Sequence, residues 1–170
     1  MKVDCDIAQA RFSVDDEADF LAHLREIADR FGVRIVVFNA AHMAGSAHVA
    51  AALDHAQRSF FGESPIANSF EMESLLYAAG SRQVLDAVRF GIHCGANAGY
   101  VCICPPSPGA RDALRALVCF VEEDWEEIDD AKKRRLMDLF GIPREELAIV
   151  GKDRLPELVR ERVALLDVYR

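Results

Sequence analysis

The chain has 170 residues, of which 51% are hydrophobic and 28% are charged, and its formal net charge is −8 at pH 7. A chain of this length can bury roughly 70% of its unfolded surface, and with no linker to divide it we expect residues 1–170 to form a single domain. The acidic balance argues against a protein that coats nucleic acid, because phosphate binding depends on clustered Lys and Arg.

The opening residues and the cysteines predict a cytoplasmic protein without a membrane partner. No apolar run reaches the ~20 residues that span a bilayer, and residues 1–11 alternate polar and apolar side chains instead of forming the core of a signal peptide. The five cysteines are odd in number and irregularly spaced, which is more typical of reduced cytosolic thiols than of a disulfide framework.

The first part of the chain predicts a strand, a helix and a second strand. The first strand covers about Val3 to Phe12, and the helix covers roughly Asp15 to Phe31 before Gly32 ends it. The apolar side of this helix is formed by Phe20, Leu21, Leu24, Ile27 and Ala28. Val33 to Phe38 is a β-branched run suited to a central strand.

Two further helices are predicted next. Ser46 is expected to cap the first, which Gly62 stops. Its buried side is formed by Val49, Ala52, Leu53, Ala56 and Phe60. The second starts at Asn68, an N-cap to which Glu71 at position N3 would bond back. Its buried face follows helical spacing and consists of Met72, Leu75, Leu76 and Ala79.

A tight joint, residues 80–83, connects the Asn68 helix to another helix. Gly80 is expected to close the first in a left-handed conformation, and Ser81 can cap the second, which ends at Gly91. Arg82 and Gln83 would then occupy its exposed first turn. Its apolar side would be Val84, Leu85 and Val88. Free amides of a helix start beside a guanidinium form an anion-binding arrangement, so this joint is the predicted functional region.

The remainder of the chain adds one short strand and three helices. Tyr100 to Cys104 alternates like a strand, and Ser107 and Pro108 supply the N-cap and first position of a helix. The apolar side of that helix is formed by Ala110, Ala113, Leu114, Leu117, Val118 and Val121. Two more helices lie near Trp125 to Phe140 and Leu155 to Tyr169. Few strands among many helices predict an α+β fold, with a small, mostly antiparallel sheet covered by several α-helices.

The last helix has an unusually wide apolar side. Its apolar residues cover an arc of about 160°, wider than the ~100° stripe that one core contact requires. These residues are Leu155, Leu158, Val159, Val163, Leu165, Leu166 and Tyr169. Arg162 lies near the middle of the arc. Deeper burial and a second, partner-binding flank explain this width equally well.

A family resemblance is specific in the joint region. The pattern Asn-Ser-x-Glu-x-Glu-x-Leu-Leu-Tyr-x-x-Gly-Ser-Arg-Gln-Val, which begins at Asn68, resembles the signature of the smallest classical KEOPS subunit, the TPRKB or PRPK-binding (Cgi-type) family. Upstream, Gly45, His48, Ala52 and Ala56 are similar to the family pattern Gly-x-x-His-x-x-x-Ala-x-x-x-Ala. Residues 140–142 and 161–168 resemble the archaeal branch, and the likeness runs from about residue 33 to the C-terminus.

The resemblance implies a non-catalytic subunit of the complex that installs threonylcarbamoyladenosine in tRNA. Such a subunit binds the atypical kinase/ATPase subunit of KEOPS and the single-stranded 3′ CCA end of tRNA, and it needs no cofactor or metal. The predicted RNA-binding residues are Asn68, Arg82, Gln83 and Arg89. The predicted partner-binding residues are Leu158, Arg162 and Leu165.

The alternative is a small cytosolic enzyme with a metal or thiol site in the Cys102, Cys104 and His93 region. Cys102 and Cys104 point to the same face of a strand, and thiolates and imidazole are zinc ligands. The spacing is not that of a zinc knuckle, and buried reduced cysteines in a core strand are the simpler interpretation. His48 and His55 lie about 10.5 Å apart along one helix, too far to share a metal, and are expected at the surface or beside a cap.

Overall fold

The computed structural model describes residues 4–62 and 64–169, apart from the side chain of residue 169. In these residues a four-stranded antiparallel sheet is combined with eight α-helices, which confirms the predicted α+β class. The strands are β1 (Asp6–Val14), β2 (Arg34–Asn39), β3 (Gly95–Cys104) and β4 (Cys119–Val121). The helices are α1 (Glu17–Phe31), α2 (Ser46–Phe60), α3 (Phe70–Ala79), α4 (Val84–Ala87), α5 (Pro108–Leu114), α6 (Asp130–Phe140), α7 (Arg144–Val150) and α8 (Leu155–Tyr169).

The strand order is β2-β3-β1-β4, so β2 lies at an edge of the sheet. The prediction of a central strand there is wrong. β2 consists mainly of apolar, β-branched residues, and helices cover both of its faces. Ile35 and Val37 pack in one core cluster, and Val36 and Phe38 pack in the other. A strand buried on both faces has a continuous apolar run whether or not both of its edges are paired.

The two core clusters lie on opposite faces of the sheet. One contains α1 and α5 residues such as Phe20, Leu24 and Leu114. The larger cluster, on the other face, contains residues of α2, α3, α6, α7 and α8. The fold therefore has three layers, with the sheet between a thin and a thick helical layer.

Several element boundaries differ from the predictions. The predicted start of β1 at Val3 lies outside the described residues. α1 ends at Gly32 as expected, with a φ of 62°. α5 stops at Leu114; of the residues expected to continue it, Leu117 and Val118 lie in the segment after the helix and Val121 lies in β4, beside β1. α7 was not predicted, and the helix expected from Trp125 begins only at Asp130.

Two cysteines form a disulfide, so the prediction of five reduced thiols is wrong for this pair. The sulfur atoms of Cys5 and Cys104 are 2.06 Å apart and the Cα atoms are 4.4 Å apart. In the β1–β3 register Asp6 lies opposite Ile103, so Cys5 meets Cys104 one step beyond the ladder. Sequence spacing could not reveal this contact, because it depends on the strand register. Cys94, Cys102 and Cys119 are free thiols.

Within the described ranges, none of the helices is both long enough and apolar enough to cross a membrane.

Candidate functional site

The start of α3 differs in detail from the predicted capping box. Ser69 is the N-cap, and its hydroxyl oxygen accepts a hydrogen bond from the Met72 amide at 3.1 Å. Asn68 lies one residue earlier and is exposed. Glu71 therefore occupies the second helical position and not the third. Asn and Ser are both good N-caps, so the sequence alone does not distinguish adjacent candidates.

Glu73 is a fully buried acidic residue of α3. Its carboxylate accepts hydrogen bonds from the Ser59 hydroxyl on α2 and from the amides of Ile66 and Ala67, at 2.9 Å and 2.6 Å respectively. These bonds connect α3 to α2 and to the preceding loop. The buried face of α3 is consequently Phe70, Glu73, Ser74, Leu76, Tyr77, Ala78 and Ala79. Met72 and Leu75, predicted to be buried, are only half-buried because they face a surface groove.

Gly80 closes α3 in the left-handed conformation, as predicted, with a φ of 62°. The Ser81 amide donates to the Leu76 carbonyl at 3.1 Å, which completes the C-terminal cap. A Cβ atom at Gly80 would lie 3.2 Å from the carbonyl oxygen of Arg162. Glycine at this position therefore allows both the left-handed turn and the close approach of α8.

Beyond Gly80 the joint is looser than predicted. The N-cap of α4 is Gln83 and not Ser81, and α4 has only four residues. The Ser81 hydroxyl accepts from the Gln83 amide at 3.0 Å and donates to the Asp86 carboxylate at 2.7 Å. The start of the second helix therefore differs from the prediction, because the Gln83 amide is bonded within the joint and a helix of four residues has a weak dipole.

The apolar side predicted for the second helix is also wrong. Val84, Leu85 and Val88 are 52%, 82% and 46% exposed. The buried residues are Ala87 and Phe90. A short α-helix followed by a 3₁₀ turn at Val88–Phe90 changes the angular spacing, so the face expected for one continuous helix does not form.

Three of the four predicted RNA-binding residues lie at one end of α3. Arg82, Gln83 and Arg89 are exposed around the joint. Asn68 precedes the opposite end of α3, whose ten residues span about 15 Å. The structure therefore brings the two arginines and the glutamine to one region and separates Asn68 from them.

A small cleft of about 170 Å³ opens at this joint. Its lining includes Gly80, Ser81, Arg89 and Arg162. The Arg162 guanidinium donates to the Glu146 carboxylate at 2.8 Å and to the Gly141 carbonyl at 3.3 Å, which fixes its position. The cleft thus joins a predicted RNA-binding arginine and a predicted partner-binding arginine, a juxtaposition that the sequence did not indicate.

Comparison with known proteins identifies the family. The chain is 30% identical over 140 residues to a protein described as regulatory protein Cgi121 from Methanocaldococcus jannaschii, and the match covers 82% of this chain and 87% of that protein. The chain belongs to the Cgi121 family. This confirms the Cgi121/TPRKB-type resemblance in the sequence. No family model matches the chain.

The histidine of the Cgi121-type pattern is a core residue. His48 is fully buried in the first turn of α2, so of the two expected positions the surface is wrong and the place beside a cap is right. Its Nδ1 accepts from the Ala44 amide and its Nε2 donates to the Ala78 carbonyl, both at 2.9 Å. Burial lowers the pKa of His48 to about 4, which keeps the ring neutral. His48 therefore links the start of α2 to the end of α3, next to the joint.

The residues predicted to bind a partner on α8 have different environments. Leu158 is only 5% exposed and packs in the larger core cluster, together with Val159 and Val163. Leu165 is half-buried, and Arg162 is held by its bonds to α6 and α7 residues. Much of the wide apolar arc is thus explained by burial in the chain's own core. The partner-binding role of these residues stays a prediction.

The residues of the alternative enzyme site do not converge. Cys104 forms the disulfide with Cys5, so it has no free thiol. Cys102 is a buried thiol whose pKa is raised by burial. His93 is exposed and precedes the first residue of β3, whereas both cysteines lie near its last. Ten extended residues span about 30 Å. In the part of the chain that the structure describes, no group of three His, Cys, Asp or Glu side chains could hold a metal ion.

Proposed function

We propose that this Cgi121-family chain is a regulatory, non-catalytic subunit of the KEOPS complex, which modifies tRNA with threonylcarbamoyladenosine. In this proposal it binds the atypical kinase/ATPase subunit and the 3′ CCA end of tRNA. The description of its relative as a regulatory protein supports the first part. The observation that supports the tRNA part is the exposure of Arg82, Gln83 and Arg89 around one joint of the family signature.

The chemistry of the joint suits a single-stranded RNA end. Guanidinium groups bind phosphates through charge-assisted hydrogen bonds, and side-chain amides read the exposed edges of unpaired bases. With a net charge of −8, the chain cannot attract RNA over its whole surface. Any contact must be local, and Arg82 and Arg89 provide two local positive charges.

The proposed RNA and kinase surfaces are continuous with each other. Arg89 and Arg162 line the same cleft, and Gly80 packs against the backbone of α8 at Arg162. A kinase subunit bound along α8 would therefore lie next to a tRNA end held at the joint. This arrangement would let one small subunit present tRNA to the complex without performing chemistry.

The tRNA proposal is tested by charge reversal at the joint. Arg82→Glu should weaken binding of every tRNA sequence and reduce the salt dependence of binding, because a phosphate contact is lost. Arg134→Glu, which changes an exposed arginine on α6, is the matched control and should bind normally. Affinities measured over a range of salt concentrations, with thermal melts of both variants, provide the comparison.

Removal of the CCA nucleotides completes the test as a double-mutant cycle. If the joint binds the CCA end, its removal and Arg82→Glu should each cause a similar loss, and their combination should add little. Fully additive losses would show that Arg82 contacts another part of the tRNA. Normal binding per folded molecule with a lowered melting temperature would instead assign Arg82 a purely structural role.

A further inference from the structure

The edge of β2 that has no strand beside it in the described sheet forms the floor of a large surface groove. The groove has a cavity volume of about 1210 Å³, and residues 33–37 all line it. Ile35 and Val37 pack on one face of the sheet and Val36 packs on the other. Consecutive residues with opposed side chains can line one cavity only if that cavity faces the backbone edge of the strand.

This edge carries hydrogen-bonding groups that the sheet does not use. β2 pairs with β3 from Arg34, opposite Cys104, to Asn39, opposite Gly99, and it has no strand on its other side in the described sheet. In an antiparallel pair, alternate residues direct their N–H and C=O groups away from the partner strand. The Ile-Val-Val-Phe run of β2 also lacks the charges and prolines that protect exposed edge strands from pairing.

Two helical walls limit what can reach the edge. α1 contributes Leu21, Leu24 and Ala28 to one wall. The opposite wall includes Met72 and Leu75 of α3. Because side chains from both sides line the groove, both walls extend past the strand edge. A second copy of the chain would carry the same walls, which would collide before the two edges could pair.

The charge of the groove does not suit a nucleic acid. Its lining contains three arginines, Arg25, Arg34 and Arg89, but four carboxylates from aspartate and glutamate. The Arg34 guanidinium is already stacked over Phe61, at 5.3 Å from the ring centroid. A polyphosphate chain would therefore meet as much negative as positive charge, whereas an uncharged peptide backbone avoids this repulsion.

We propose that the groove binds an extended peptide segment of a partner protein, which adds to the sheet as a fifth strand beside β2. Main-chain hydrogen bonds to the free edge provide affinity, and the two walls select the side chains. Since both walls carry apolar residues, the segment is apolar on both faces, as in a strand buried between two layers of helices. The five residues 33–37 that line the groove correspond to about 17 Å of extended peptide. This inference does not rest on the proposed tRNA contact, although Arg89 lines both this groove and the cleft at the joint.

A synthetic peptide provides the probe. Acetyl-Lys-Thr-Val-Ile-Val-Thr-Lys-amide is titrated into the full chain at up to about 1 mM, while NMR follows amide hydrogen exchange of residues 34–39. Alternate amides of β2, those that point away from β3, should exchange at least about tenfold more slowly when the peptide is bound. The control ligand is the same peptide with N-methyl groups on alternate residues. It lacks the backbone N–H donors that strand addition uses, so it should bind at least about tenfold more weakly.

Wall variants separate groove binding from contacts elsewhere. Leu21→Lys and Val88→Lys alter residues that line the two sides of the groove and are each 46% exposed, so both variants should fold and lose peptide binding. Leu85→Lys, three residues from Val88 and 82% exposed, lies outside the groove lining and should bind normally.

Three results would overturn the proposal. One is the absence of peptide binding, or equal binding of the N-methylated peptide. Another is protection of the β2 amides by a CCA-ended oligonucleotide instead of the peptide, which would make the groove an RNA site. The third is concentration-dependent protection without peptide, accompanied by dimer formation in sedimentation, which would assign the edge to a second copy of the chain.

Discussion

His48 is a neutral, fully buried histidine that holds two helices together. Its two ring nitrogens bond the backbone at Ala44 and Ala78, so both polar atoms are satisfied without a charge. Protonation would require a charge in the core, near the positive charges of Lys132 and Arg160, both of which further lower its pKa. In the folded chain His48 therefore acts as a neutral hydrogen-bonding ring.

We expect acid to destabilise the fold through His48. The pKa of His48 is about 4 in the folded chain, below its ordinary value of 6.5. As the pH falls from 6.5 to 4, the unfolded chain therefore takes up a proton that the folded chain does not bind. The linked loss of unfolding free energy between pH 6.5 and pH 4 is about 3 kcal/mol. Denaturant unfolding of wild type and His48→Gln at several pH values measures the difference. Equal pH dependence of the two proteins would contradict this role.

Gly80 combines a left-handed turn with contact to another helix, and Gly141 provides a natural control. The φ angles are 62° and 60°, but a Cβ at Gly80 would meet the Arg162 carbonyl at 3.2 Å, whereas none of the described atoms lies within 4 Å of a Cβ at Gly141. Both Gly→Ala variants should lose about 1 kcal/mol from the left-handed conformation. Gly80→Ala should lose more, because α8 must shift.

Chemical denaturation of the two variants tests this difference. An identical loss of stability in both would show that the contact between the joint and α8 is unimportant. A larger loss for Gly80→Ala, accompanied by weaker tRNA binding per folded molecule, would show that α8 also positions the joint for function.

At the level of elements, α8 presents two kinds of apolar residue. Leu158→Glu should unfold the chain or lower its stability by several kcal/mol, because it places a charge in the larger core cluster. Leu165→Glu should retain the fold, since this side chain is half-buried, and should reduce capture of the kinase subunit if this flank is the interface.

Val168→Glu is the matched control for the interface, as Val168 lies one turn further along α8 and is 70% exposed. Melting curves and co-purification with the kinase subunit are measured for all three variants. Normal kinase capture by a folded Leu165→Glu chain would remove Leu165 from the proposed interface.

At the scale of the whole molecule, the Cys5–Cys104 disulfide connects β1 to β3 across 99 residues of sequence. Closing a loop of this length lowers the entropy of the unfolded chain, and loop-closure arguments give a stabilisation of about 4 to 5 kcal/mol as an upper value. A reducing agent should therefore lower the unfolding midpoint of wild type but leave a Cys5→Ser, Cys104→Ser variant unchanged. Equal midpoints of wild type with and without reductant would contradict this prediction.

The sequence by itself determined the family, the α+β class and the elements whose signals are local. Gly32 and Gly80 end helices, Ser107 and Pro108 start one, and apolar spacing located α8, because each of these features depends on neighbouring residues alone. The exposure of Arg82 in the joint was also predicted from local capping signals, although the helix that forms there is much shorter than expected.

Tertiary structure decided the features that depend on which elements meet. Strand register brought Cys5 to Cys104, and strand order left β2 at an edge although its composition suggested a central position. Burial of His48 and Glu73 depends on backbone groups in other segments, which local patterns do not contain. The cleft lined by Arg89 and Arg162 also depends on how the helices pack against one another. The residues next to each arginine in the sequence do not specify that packing.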